Sequence, residues 1–110
     1  MKRGTLCWVN LEDASPPELG KLRPGIVVSN TVSNLQLETV VIVPVSSKPD
    51  EVWPLRLRFQ MPDGRASFAV VPGIRQVSKR RLTDPFGVVS AAVMGRIEEA
   101  IKLYLAGADD

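Results

Sequence analysis

The chain has 110 residues, 45% of them hydrophobic and 24% charged, with a formal net charge of +2, the size and balance of one packed domain spanning residues 1–110 and not of a disordered segment. It contains no histidine, which removes imidazole acid–base catalysis, Ser-His-Asp triads and histidine-ligated metals. No carboxylate cluster has the spacing of a calcium or magnesium site, so neither a metal nor a cofactor is expected, and no apolar run approaches the ~18 residues of a membrane span.

Residues 4–10 (GTLCWVN) alternate in character and predict a first strand. Trp8 is expected in the core. Cys7, the single cysteine, cannot form an intrachain disulfide and is either a small buried residue or a reactive thiol. The opening MKRGTLCWVN has no long apolar stretch of the secretory kind, so a cytoplasmic protein is expected. Residues 11–25 (LEDASPPELGKLRPG) carry three prolines and two glycines and predict a long loop, longer than a simple connection requires.

Residues 25–30 (GIVVSN) predict a short buried strand, and residues 38–45 (ETVVIVPV) the strongest strand of the chain. Between them TVSNLQL reads as a turn-like connection, with a short helix as the alternative. In residues 53–59 (WPLRLRF), Leu55, Leu57 and Phe59 fall on one face and Arg56 and Arg58 on the other, the pattern of a half-buried strand with a basic outer face. Asp63-Gly64 marks a hairpin turn. Residues 67–77 (SFAVVPGIRQV) divide into two short strands at Pro72-Gly73.

A helix closes the chain. Ser90 is placed to cap its N-terminus, Val93, Met94, Ile97, Ala100, Ile101, Tyr104 and Leu105 recur at helical spacing, and Gly107 stops it. Five or six short strands and one terminal helix give an α+β, mainly β architecture: a small, partly closed antiparallel barrel with a helix across it.

The charges are unevenly spread. Arg75, Lys79, Arg80 and Arg81 sit together, with Arg56, Arg58 and Arg65 before them, while acids gather at residues 12–13, 50–51, 98–99 and 109–110. Such a band suits phosphate contacts, and equally suits ordinary solvated charges. Arg23 in "RPGIVVSN" also has two readings. It either caps the barrel rim in a salt bridge with Glu18 or offers its planar donor fork to a phosphate. Ser46 and Ser47 follow the central strand, where hydroxyls either tie a turn or hold a phosphate oxygen, and Lys48 adds charge at the same strand end.

Taken together in this order and spacing, "KRGTLCWVNLED", "RPGIVVSN", "VVIVPVSSK" and "GIRQVSKRRL", ending in the terminal helix, resemble the MazF/PemK family of toxin endoribonucleases over nearly the whole chain. The resemblance implies an SH3-like barrel that forms a homodimer. It also implies metal-independent cleavage of single-stranded RNA by the substrate's own 2′-hydroxyl, giving a 2′,3′-cyclic phosphate and a 5′-hydroxyl. By the same resemblance, a separate antitoxin neutralises the protein. Arg23 matches the family's catalytic arginine, Ser46 its Thr/Ser after the central strand, and Glu18 the carboxylate of its S-E segment, here the candidate base. Ser47, Lys48, Arg75, Lys79, Arg80 and Trp53 are candidate RNA contacts, with bracing roles open for Arg75 and loop packing for Trp53.

The chain departs from the family pattern at three places. Pro72-Gly73 stands where many relatives have an acidic residue and glutamine, Thr5 replaces an early Asp, and Pro17 replaces a Ser. The alternative functions are a catalytically decayed RNA- or peptide-binding module on the same fold, and a protein-directed toxin of the gyrase-poison kind.

Overall fold

The computed structural model describes residues 1–12, 15–18 and 21–107; Asp13, Asp109 and Asp110 of the acidic groups, and part of the loop at residues 11–25, lie outside the described residues. Seven antiparallel strands and two helices follow one another: β1 (Thr5–Asn10), β2 (Leu22–Val27), α1 (Thr31–Gln36), β3 (Thr39–Ser46), β4 (Arg56–Gln60), β5 (Ala66–Val70), β6 (Arg75–Ser78), β7 (Leu82–Val88) and α2 (Ala91–Ala106). The strand order is β4-β5-β3-β2-β1-β7, with β6 also paired to β3.

β3 is the axis of the sheet. One edge pairs with β2. The other pairs first with β6, at Thr39 to Ile42, and then with β5, at Val45 and Ser46. Pro44 falls in the gap between those two partners. A proline has no N–H for a ladder, and this is a place in a central strand where one costs little. Among the described residues no ladder joins β4 to β7, so the barrel is not closed by hydrogen bonds. β7 instead approaches the turn after β4: a Cβ on Gly87 would lie 2.7 Å from Cγ of Pro62, so glycine is what lets the two come together.

The sheet is buried on both faces at its centre. One apolar cluster joins Leu6, Ile26, Val43, Leu57 and Phe59 to Met94, Ile97 and Ala100 of α2. The other joins Cys7, Val9, Val27, Ile42 and Val77 on the opposite face. Strands covered on both sides read as continuous apolar runs, which is why GIVV and TVVIVPV lack alternation. Burial pushes the Cys7 thiol up to about 11, which makes it a core residue and not a nucleophile.

α1 is held by a buried polar hub. Asn34, 1% exposed, donates from Nδ2 to the carbonyls of Met1 (2.9 Å) and Ser29 (3.0 Å), and its Oδ1 accepts from the Ser29 hydroxyl at 2.6 Å. The Ser29 Oγ in turn accepts from the Val41 N–H of β3 at 2.9 Å. The ammonium of Lys79 donates to the Asn34 carbonyl.

At α2 the Ser90 Oγ accepts from the Val93 N–H at 3.2 Å, and Gly107 ends the helix at φ 76°. Replacing Ser90 with Ala is expected to cost about 1 kcal/mol, read as a lower urea midpoint with unchanged slope.

Several expectations are corrected. β2 begins at Leu22, inside the expected loop of residues 11–25, so Arg23 is the second residue of a strand and not part of a loop. β7 was not expected at all: Asp84, Pro85 and Gly87 read as breakers, but the strand lies at the end of the sheet, where proline is tolerated. β4 starts only at Arg56, and Leu55 is 39% exposed instead of joining Leu57 and Phe59 inside. Tyr104 and Leu105 lie on the last turn of α2, beyond the sheet it covers, and are exposed. Trp8 is 38% exposed. Its neighbour on the same strand face, Leu6, is under the helix-side core, and that cover ends before Trp8. No helix among the described residues is long and apolar enough to cross a membrane.

Candidate functional site

Two clefts flank the C-terminal end of β3. The first, about 330 Å³, is lined by Trp8, Lys21, Leu22, Arg23, Pro24, Val45, Ser46, Ser47, Met61, Arg65 and Ser67. The second, about 320 Å³, is lined by Leu11, Pro17, Glu18, Pro44, Val70, Pro72, Gly73, Ile74 and Arg75.

Strand register places Arg23 in the first cleft. β1 and β2 pair Val9 with Arg23 and Trp8 with Pro24, while β2 and β3 pair Gly25 with Pro44 and Ile26 with Val43. Arg23 and Ser46 each lie two residues beyond the last β2–β3 pair, Gly25 with Pro44, and both line the first cleft. Gly25 makes room for β1 beside it, since a Cβ there would lie 2.8 Å from Cγ2 of Val9. The guanidinium and the hydroxyl thus belong to neighbouring strands, each just past the end of the ladder that joins them.

Ser46 is buried, and its Oγ accepts from the Lys48 N–H at 3.1 Å. That bond occupies a lone pair and leaves the hydroxyl hydrogen to donate. The chain beyond it is clamped by Arg56. Its Nε donates to the Asp50 carbonyl at 3.2 Å, its Nη2 donates to the Lys48 carbonyl, and its guanidinium carbon lies 5.6 Å from the Phe68 ring centroid.

Among the described residues, the ionisable groups that line the first cleft are the cations Lys21, Arg23 and Arg65, which offer a phosphate charge and directed donors. Arg65 is tied to Asp63 through Nε at 2.7 Å, and the Arg65 N–H and guanidinium hold the Asp63 carboxyl below the usual range.

Glu18 is not in that cleft. It lines the second, across Pro44, and accepts from the N–H and hydroxyl of Ser15 at 3.2 and 3.4 Å. Arg75 and the Pro72-Gly73 pair line the same cleft. Ser47 joins Arg23 and Ser46 in the first cleft, and Lys48 follows directly, exposed.

Three other candidates stand apart from both clefts. Lys79 braces α1 through the Asn34 carbonyl, Arg80 is exposed in the short turn after β6, and Trp53 sits under Arg96, whose guanidinium carbon is 5.8 Å from its ring centroid. Arg96 also reaches Glu51 at 3.0 Å, and the Arg58 N–H followed by Arg96 lowers the Glu51 carboxyl from its ordinary value. Trp53 therefore belongs to a polar cluster between the loop before β4 and the helix.

The residues that sequence reasoning missed are Trp8, Lys21, Met61 and Ser67, while Arg65 was read only as part of the basic band. The signal for Met61, Arg65 and Ser67 was the hairpin at Asp63-Gly64, which returns the chain beside the β3 end through the Ser46–Phe68 pair. Among the described residues no group of three or more Cys, Asp or Glu side chains is arranged to hold a metal ion.

The family described as "PemK-like, MazF-like toxin of type II toxin-antitoxin system" matches residues 2–105. Endoribonuclease MazF9 of Mycobacterium tuberculosis (strain ATCC 25618 / H37Rv) is 33% identical over 113 residues, covering 96% of each chain. Endoribonuclease EndoA of Bacillus subtilis (strain 168) is 26% identical over 114 residues, covering 96% of this chain and 95% of its own. Among solved structures, MazF from Deinococcus radiodurans superposes with a TM-score of 0.84 at 21% identity, covering 96% of both chains. A mycobacterial endoribonuclease in complex with its cognate antitoxin gives 0.82 at 22% identity, covering 100% of this chain and 99% of that one. At these identities the superpositions speak for the fold.

Proposed function

The chain belongs to the PemK-like, MazF-like toxins of type II toxin–antitoxin systems, and from that premise we propose that it is an endoribonuclease that cleaves single-stranded RNA without a metal ion. The observation that carries this reading is that Arg23 and Ser46, on the neighbouring strands β2 and β3, line one cleft together with the cations Lys21 and Arg65. The chain has no histidine, and a reaction in which the substrate supplies its own nucleophile asks little acid–base work of the protein.

The steps run as follows. The ribose 2′-hydroxyl gives its proton to Glu18 as its oxygen bonds to the adjacent phosphorus. Negative charge builds on the phosphoryl oxygens, where the Arg23 guanidinium and the Ser46 hydroxyl donate to it. The bond from phosphorus to the 5′-oxygen then breaks. That oxygen takes a proton from solvent water, because a guanidinium does not release its own. The products are a 2′,3′-cyclic phosphate and a 5′-hydroxyl. Since Glu18 and Arg23 line neighbouring clefts, this step requires the carboxylate and the guanidinium to reach the same phosphodiester at the Pro44 rim, with Arg75 on the Glu18 side.

The working protein is a homodimer, silenced by a separate antitoxin chain that covers the cleft. The mycobacterial neighbour solved with its cognate antitoxin supports that part of the reading.

The test is incubation of the purified protein with a long single-stranded RNA in EDTA. Discrete cuts are expected, with 5′ ends that polynucleotide kinase labels without prior phosphatase treatment. An intact RNA, or cuts bearing 5′-phosphates, would overturn the mechanism. One observation favours a second reading: Pro72 and Gly73, which cannot supply a carboxylate or amide, line the Glu18 cleft. RNA affinity that falls steeply with salt but yields no cyclic-phosphate product would select a binding module that has lost cleavage.

A further inference from the structure

The first cleft continues into a smaller slot of about 190 Å³, lined by Trp8, Pro24, Met61, Pro62, Asp63, Arg65 and Phe86. Trp8, Pro24, Met61 and Arg65 are common to both. At that volume the slot lies below the roughly 300–1,000 Å³ of sites for drug-sized ligands, which suits one ring system.

The slot is built by an irregularity in the sheet. β1 pairs Leu6 with Gly87 and Trp8 with Thr83, so two steps along β1 face four along β7. The surplus is taken up around Asp84, which has φ 45°, and Pro85. Such bulges re-aim side chains, and this one brings Phe86 against Trp8. The ring centroids are 5.9 Å apart and the planes tilted by 39°. A planar group held between two rings needs about 7 Å, twice an ordinary carbon–carbon contact of about 3.5 Å, so nothing is sandwiched here. Phe86 is a backing ring that fixes Trp8, and the exposed part of Trp8 is the surface offered to a ligand.

Charge says which part of a nucleic acid enters. Among the described residues the Arg23 cleft is lined by the cations Lys21, Arg23 and Arg65, whereas in the slot the charge of Arg65 is balanced by the Asp63 carboxylate that it holds. The slot thus adds no net positive charge for a phosphate. A neutral ring with an apolar face and a polar edge fits the slot.

We propose that the Trp8–Phe86 slot is a nucleobase site: one base of a single-stranded RNA, next to the phosphate at Arg23, turns out of its stack and lies on Trp8 with its polar edge toward Asp63 and Arg65. The proposal rests on the RNA reading given above and adds the residue that positions the chain. Stacking on an aromatic side chain tolerates any base and supplies binding that the backbone contacts do not.

The chain has two tryptophans, so in the Trp53→Phe protein Trp8 is the one fluorophore of its kind. This protein is titrated with a short random-sequence single-stranded DNA, which keeps the bases but lacks the 2′-hydroxyl. The control is an abasic deoxyribose-phosphate chain of equal length. The base-bearing oligonucleotide is expected to quench Trp8 and the abasic chain to leave it unquenched. Trp8→Ala, made in the wild-type background, is expected to weaken binding of the base-bearing chain roughly 5- to 150-fold without changing abasic affinity, and Trp8→Phe to recover most of the loss. Quenching that is equal for the two chains or absent from both overturns the proposal, as does an equal loss of affinity for both. Base-dependent quenching in a protein that leaves RNA intact overturns the nuclease reading alone. Cleavage without base-dependent quenching overturns the slot alone.

Discussion

Arg23→Ala is expected to lower RNA cleavage roughly 100- to 1,000-fold, the usual consequence of removing one donor aimed at charge that develops in the transition state. The protein should still fold, because Arg23 pairs with Val9 through the strand backbone, which alanine retains. Arg23→Lys separates two contributions. A lysine restores the charge without the planar fork, so partial recovery assigns the remainder to paired, directed hydrogen bonds. Circular dichroism establishes that each variant is folded, and cleavage of one long RNA under single-turnover conditions gives the rate. An Arg23→Ala protein that cuts as fast as the wild type removes the guanidinium from the mechanism.

The largest effect on stability is expected at Asn34, far from the chemistry. Asn34→Leu keeps similar bulk but deletes two donated hydrogen bonds and one accepted bond in a position 1% exposed. The Met1 and Ser29 carbonyls and the Ser29 hydroxyl then lose their amide partner away from bulk water. A loss of about 3 kcal/mol is expected, since each group left unpaired costs about 1–3 kcal/mol. Urea unfolding followed by circular dichroism measures it, and a change under about 1 kcal/mol would show that relaxation or water repairs the hub. Ser29→Ala should cost less, because the Asn34 amide keeps both of its carbonyl acceptors.

These two residues differ in how visible they were in the sequence. Arg23 stood out because Arg-Pro-Gly precedes an apolar run and matches a family motif. Asn34 did not, because a polar residue in TVSNLQL reads as a solvated connection. Its burial comes from Met1 and β3 closing over it, contacts between residues distant in the chain. The strongly apolar strands and the capped terminal helix were legible because they satisfy local and global requirements at once. β7 was not, because its Pro85 and Gly87 are tolerated only through its place at the sheet end and the bulge opposite β1. Trp8 was misjudged for a related reason: alternation gives a face, but not where the cover on that face stops. That Arg23 and Ser46 share a cleft could be carried over by motif, while the place of Glu18 in a neighbouring cleft depends on how the chain passes Pro44, which no local pattern encodes.

The Arg56 clamp bears on how the protein responds to ionic strength. The guanidinium holds the segment after Ser46 by two carbonyl oxygens and an aromatic face, and such short-range partners are little affected by dissolved ions. A polyanion gathered by Lys21, Arg23 and Arg65 is affected strongly. On the proposed reading, saline conditions therefore thin the population of loaded enzyme while the Ser46 hydroxyl stays aimed, so capture and alignment are governed by separate physical forces in the same small cleft.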